Sequence, residues 1–162
     1  MVRFITNTLF FLHFIALLAN GQQCYAQKPN AQAYIKDHKV LAGILAETYG
    51  IPYSVILAVA IVESSAGTSD IAKVLNNHFG IVGKNEFENS RGNKSRYRQY
   101  DNEIASYIDF CIYISNKKFY HKLKGKTDTK LWIRAISHCG YSEAPEAWVQ
   151  KITHTIKANH LQ

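Results

Sequence analysis

The chain has 162 residues, enough for one domain with a modest core and too few for two. Its formal charge of +7 suits an anionic polymer such as cell wall, lipopolysaccharide or nucleic acid. The basic residues are spread out, however, with small clusters only at Lys117-Lys118 and Lys122-Leu-Lys124-Gly-Lys126 and no aromatic–basic interleaving, which argues against a nucleic-acid partner.

The first 26 residues read as a secretory signal peptide. Arg3 supplies a positive start, Leu9 to Leu18 an apolar stretch, and Cys24-Tyr-Ala26 places small residues at −3 and −1, so cleavage is expected after Ala26. The expected location is periplasmic or secreted. His13 interrupts the apolar stretch, which is too short to span a bilayer, so no stable membrane insertion is expected after cleavage. A retained N-terminal anchor is the alternative. Cleavage leaves two cysteines, Cys111 and Cys139, an even pair in an oxidising compartment. A disulfide and two buried thiols both remain open, because each cysteine falls on the apolar stripe of its own expected helix.

Residues 27–40 form a lead and the start of a helix, and 41–158 the main domain. The first helix runs from Ala31 with Ile35, Leu41, Ile44, Leu45 and Tyr49 inward, and stops at Gly50, a natural left-handed residue. After Pro52 comes the run Val55-Ile-Leu-Ala-Val-Ala-Ile-Val62, apolar on every face and therefore a buried helix. It ends in Glu63, followed by Ser64, Ser65 and Gly67. A carboxylate at the C-terminal end of such a helix faces apolar walls and the negative end of the helix dipole, and both raise its pKa. A carboxylic acid that holds its proton near neutrality is what a general acid requires; a solvated Glu at a frayed helix end is the bland alternative.

Thr68-Ser69-Asp70 caps a brief helix through Leu75, which Asn76-Asn77 breaks. His78 to Val82 and Tyr97 to Tyr100 read as two short strands, with a turn at Ser90-Arg-Gly-Asn93 between them. Asp101 or Asn102 caps a helix carrying Ile104, Tyr107, Ile108, Cys111 and Ile112 at helical spacing. A basic connector spans Lys117 to Lys126. Asp128 or Thr129 starts a helix with Trp132, Ala135, Ile136 and Cys139 on one side, ended by Gly140. The last helix begins near Pro145 and turns Trp148, Ile152 and Ile156 inward. The histidines show neither HExxH nor a Cys/His pair at zinc spacing, so no metal or cofactor is expected.

Three pieces occur in order: Ala60-Ile-Val-Glu63-Ser64, Asn76-Asn-His-Phe-Gly-Ile81, and Cys139-Gly-Tyr141 before Pro145. With Tyr49-Gly-Ile-Pro52, Arg98-Gln-Tyr-Asp101 and Trp132, this arrangement resembles the bacterial glucosaminidases of glycoside hydrolase family 73, relatives of autolysins and of the flagellar rod hydrolase. The resemblance covers roughly Leu41 to Ile156. It implies a mainly α, lysozyme-like fold (α+β), with a helical lobe and a small β-hairpin lobe, and an exported enzyme that cuts the GlcNAc–MurNAc bond of peptidoglycan glycan strands. It assigns the general acid to Glu63 and the active-site tyrosine to Tyr141.

Asn77, His78, Phe79 and Gly80 are candidate substrate-binding residues. Asn77 reads equally as a turn residue, Phe79 as core, and His78 as a cleft-wall imidazole rather than a base. Only 14 residues separate Val82 from Tyr97, so Glu86 and Glu88 are the carboxylates available for a second catalytic role. If both are solvated loop charges, the substrate's own N-acetyl group takes that role with help from Tyr141. Ala66 stands where the family often has an aromatic, which would open one wall of the cleft. The rivals are a muramidase or lytic transglycosylase, and a catalytically weak or non-catalytic glycan-binding module that opens the wall for an envelope-spanning apparatus.

Overall fold

Caps, glycines and one proline delimit the helices. The computed structural model describes residues 30–86 and 95–161. The expected signal peptide, Glu88 and the Ser90–Asn93 turn lie outside the described residues. Helix α1 (Ala31–Tyr49) starts where the Asn30 side chain accepts from the Ala33 amide at 3.1 Å, and stops at Gly50, whose φ of 65° only glycine adopts freely. Pro52 leads into α2 (Tyr53–Ser64). Ser69 caps α3 (Asp70–Leu75), Asn102 caps α4 (Glu103–Ser115) and Asp128 caps α6 (Thr129–Ile136), each through its side-chain oxygen. The short α5 (Tyr120–Leu123) lies within the basic connector. A kinked turn, Ser137–Tyr141, follows α6, and α7 (Pro145–Ala158) is the last helix of the described residues. Among the described residues no helix is long and apolar enough to cross a membrane.

Helix α2 is the centre of the domain. Residues Val55 to Ala60 are fully buried, and α1, α6 and α7 pack around them. A helix apolar all round needs partners on every side, and the fold supplies them.

Two expected faces hold in part. On α1 the buried residues are Tyr34, His38, Ala42 and Leu45, with Ile35, Leu41 and Tyr49 packed against the core, while Ile44 is exposed. On α4 they are Ser106, Tyr107, Phe110, Cys111 and Ile114, while Ile104, Ile108 and Ile112 are exposed. The two helices meet at a pair of polar aromatics, where the Tyr107 hydroxyl donates to Tyr34 Oη at 2.8 Å.

The expected strands narrow to one antiparallel bridge, Val82 with Tyr97, extended by Arg98 N–H to Ile81 O at 2.8 Å and Gly83 N–H to Arg96 O at 3.0 Å. The segment before Val82 is a turn rather than a strand. Asn77 Oδ1 accepts the amides of Phe79 and Ile81, and Gly80 has φ 65°, a combination no ladder tolerates. Cys111 and Cys139 are free thiols. Burial pushes the Cys111 thiol up to about 12, and the Cys139 thiol donates to Ile136 O at 3.1 Å.

Candidate active site

Glu63 occupies the last turn of α2, half-buried. Burial raises its pKa; the Trp148 indole and the Lys151 ammonium pull the other way and do not cancel it. Trp148 Nε1–H donates to Glu63 Oε1 at 2.7 Å. The second oxygen, Oε2, faces Gly80: a Cβ built on Gly80 would stand 3.5 Å from Oε2 and 3.9 Å from the Tyr97 ring. A glycine here leaves the acid's outer oxygen open to a ligand, and the backbone requires one in any case.

Tyr141 follows a kink after α6, where Cys139 leaves helical geometry and Gly140 at φ 82° redirects the chain. The Tyr141 hydroxyl donates to Phe79 O at 2.6 Å. Its ring meets Trp148 edge-on at 5.6 Å and is flanked by Phe110 and Tyr113, each at 5.9 Å. Burial first, and then the neighbouring Glu63 charge, raise its pKa well above the ordinary tyrosine value, so it remains a phenol. With its only proton committed to Phe79, the phenol oxygen can act toward a ligand only as an acceptor.

Gly80 and Tyr141 line a groove of about 540 Å³ that continues past Val82, Ile112 and Tyr113. Glu86 is exposed and lines a different cavity, of about 680 Å³, on the hairpin with Lys84, Gln99 and Asp101. Tyr141 lines only the smaller of the two, together with Gly80, which Glu63 Oε2 faces. Glu86 therefore faces a different cavity from the one that Tyr141 lines, and Glu88 lies outside the described residues.

The other expected binding residues divide. Asn77 is buried, and its amide is fully used: Nδ2 donates to Ile81 O at 2.9 Å and to Arg98 O at 2.7 Å, while Oδ1 accepts two backbone amides. It shapes the turn and has no capacity left for a sugar. Phe79 is core, stacked on Phe110 at 4.3 Å, and contributes only its carbonyl to the site. His78 is buried on the far side, where Nδ1 meets Tyr34 Oη at 2.5 Å and Nε2 lies 3.8 Å from Glu103 Oε2. Burial and the nearby His38 lower its pKa to about 4, so it is neutral near pH 7, and it does not line the groove. Ala66 is also buried, so it faces the core and not a cleft wall.

Trp148, expected only as core, is the residue that donates to Glu63. The available signal was an indole on an inward face, since a buried Trp N–H requires an acceptor. Among the described residues no group of three His, Cys, Asp or Glu side chains is placed to hold a metal ion.

Solved structures share this fold. The catalytic domain of the autolysin Auto from Listeria monocytogenes superposes with a TM-score of 0.65 at 18% identity, over 98% of this chain and 98% of that one. A peptidoglycan hydrolase from Sphingomonas sp. A1 gives 0.65 at 26% identity, over 80% of this chain and 90% of that one. The glycoside hydrolase domain of Salmonella typhimurium FlgJ, truncated at its C-terminus, gives 0.63 at 18% identity, over 82% and 99%. No curated protein sequence matches the chain. The family model described as mannosyl-glycoprotein endo-beta-N-acetylglucosaminidase matches residues 39–161, and with that match the chain belongs to the glucosaminidase family of glycoside hydrolases.

Proposed function

We propose that the protein is an exported endo-β-N-acetylglucosaminidase that hydrolyses the GlcNAc–MurNAc bonds of peptidoglycan. The observation that carries this reading is Glu63: a carboxyl with a raised pKa, one oxygen fixed by Trp148 and the other turned toward Gly80 at the groove. Glycosidic cleavage needs a protonated carboxyl beside the leaving oxygen, and Oε2 is the oxygen free to deliver the proton. Peptidoglycan as substrate is supported by the 26% identical hydrolase, and export by the charged, apolar and small-residue pattern of residues 1–26.

Tyr141 accepts the N–H of the substrate's acetamido group. That contact orients the acetamido oxygen toward the anomeric carbon and increases its electron density as the bond to the leaving oxygen breaks. The acetamido group then fills the place of a second protein carboxylate, and water opens the resulting cyclic intermediate. Export would also bring the enzyme within reach of an envelope-spanning apparatus.

The test is digestion of purified peptidoglycan by the wild type beside Glu63→Gln, followed by borohydride reduction and mass spectrometry. Reduced GlcNAc ends from the wild type alone are expected. Reduced MurNAc ends would assign a muramidase, anhydro-MurNAc ends a lytic transglycosylase, and binding without release a glycan-binding module. Export is checked by N-terminal sequencing of the protein recovered outside the cytoplasm, which should begin at Gln27.

A further inference from the structure

The groove that starts at Gly80 and Tyr141 carries two ion pairs along its far wall, and they are built differently. Arg98 Nη1 meets Asp109 Oδ2 at 2.6 Å, and the Tyr100 hydroxyl donates to the same oxygen at 2.6 Å. The Asp109 side chain is only 23% exposed. This is a fixed strut between the hairpin and α4. Arg96 Nη2 and Glu143 Oε1 are 3.4 Å apart, with side chains 64% and 89% exposed. That pair reaches from the hairpin to the loop just past Tyr141, and at this length and exposure it contributes little to stability. Its partners are free to exchange for a ligand's charges.

A guanidinium and a carboxylate can hydrogen-bond sugar hydroxyls, but a ligand that carries charges of its own is better suited to replace the pairing these two make with each other. The charged part of the peptidoglycan repeat is the peptide on the muramic acid lactyl ether, which carries free carboxylates and, at a diamino acid, an ammonium. We propose that Arg96 and Glu143 form a subsite for this stem peptide: the Arg96 fork takes a stem carboxylate, and Glu143, released from Arg96, takes the ammonium. The enzyme is then selective for peptide-bearing glycan over stripped glycan. The inference rests on the peptidoglycan reading above and adds the part of the substrate that sets preference.

The experiment compares kcat/KM of the purified protein on peptidoglycan strands that carry their stems with kcat/KM on strands stripped by an N-acetylmuramoyl-L-alanine amidase. The wild type should prefer peptide-bearing strands by about five-fold, the scale of an exposed ionic contact, and the preference should shrink as salt is raised. Arg96→Ala should bring the ratio toward one through a higher KM on peptide-bearing strands, and Arg96→Lys should recover it only in part because the fork is lost. Arg96 is largely exposed, so an unchanged Tm serves as the folding control. A wild-type ratio of one or less, or an Arg96→Ala variant that slows both substrates equally, would overturn the subsite. Absence of cleavage of both substrates by the wild type would overturn the hydrolase reading itself, which separates the two failures.

Discussion

Glu63 and Ser64 are adjacent, and they face two regions made by opposite rules. Ser64 turns inward. Its hydroxyl donates to Ala60 O at 2.6 Å and accepts the Gly67 amide at 2.8 Å. Beside it lies a buried cluster of Tyr34, His38, His78 and Tyr107 in which donors and acceptors are matched, reaching the surface at Glu103. Glu63 turns outward with a single donor, Trp148, against one of its oxygens. The saturated side holds the helix end in place, and the unsaturated side keeps capacity for chemistry. Rich polar clusters are thus a poor guide to the site here; spare hydrogen-bonding capacity at the mouth of a groove is the better one.

The largest test of this contrast is Glu63→Gln. Loss of the acid should lower turnover by roughly 10²–10⁴-fold, the usual contribution of a general acid, measured as new reducing ends. Stability should move the other way. The folded pKa of Glu63 lies above its ordinary value, so the carboxyl costs no stability below the ordinary carboxylate range, and it becomes a burden as pH rises through the raised folded value. Thermal unfolding should therefore show the variant equal to the wild type in acid and more stable at neutral pH. A variant that is less stable at neutral pH would mean that Glu63 belongs to the structural side after all.

Asn77→Ala comes next and should show the reverse pattern. It removes a buried amide with four backbone partners, at a cost of about 2–4 kcal/mol in urea or thermal unfolding. The protein that remains folded should still bind glycan. A normal Tm with lost glycan affinity would return Asn77 to the binding surface. Tyr34→Phe tests the cluster more gently. Removing the hydroxyl strands His78 Nδ1 and the Tyr107 hydroxyl, at about 1–3 kcal/mol, while kcat per folded molecule is preserved.

Helix boundaries were legible in the sequence because caps act locally: Asn30, Ser69, Asn102 and Asp128 each bond amides two or three residues ahead. The buried helix before Glu63 was legible too, from eight apolar residues in a row; they do not settle whether Glu63 itself faces water, and the structure half-buries it. The edges of the α1 and α4 faces were not: Ile44, Ile104, Ile108 and Ile112 fit the apolar spacing and are exposed. The hydroxyl pair at which the two helices meet joins residues 73 positions apart, which no local periodicity encodes. The roles of Asn77 and His78 were hidden for the same reason: a motif reports which residues recur together, and only tertiary contacts tell whether an amide faces a sugar or its own backbone. Trp148 was legible as core, but the acceptor of its indole lies 85 residues away.

That indole gives the smallest expected effect and the most specific. The Trp148 N–H stabilises the ionised form of Glu63, so it lowers the acid's pKa against the larger upward push of burial. Trp148→Phe keeps an aromatic body in the core and removes only the donor. Glu63 should then hold its proton to higher pH, and the alkaline limb of the kcat/KM profile should move upward, with the rate at its plateau within about ten-fold of the wild type. A structural role for Trp148 alone predicts lower stability with the limb in place. A shift to lower pH would mean that Lys151, the other group favouring the ionised form, moves in to replace the indole. The position of that limb therefore reports whether the single hydrogen bond on the unsaturated side tunes the acid or merely packs beside it.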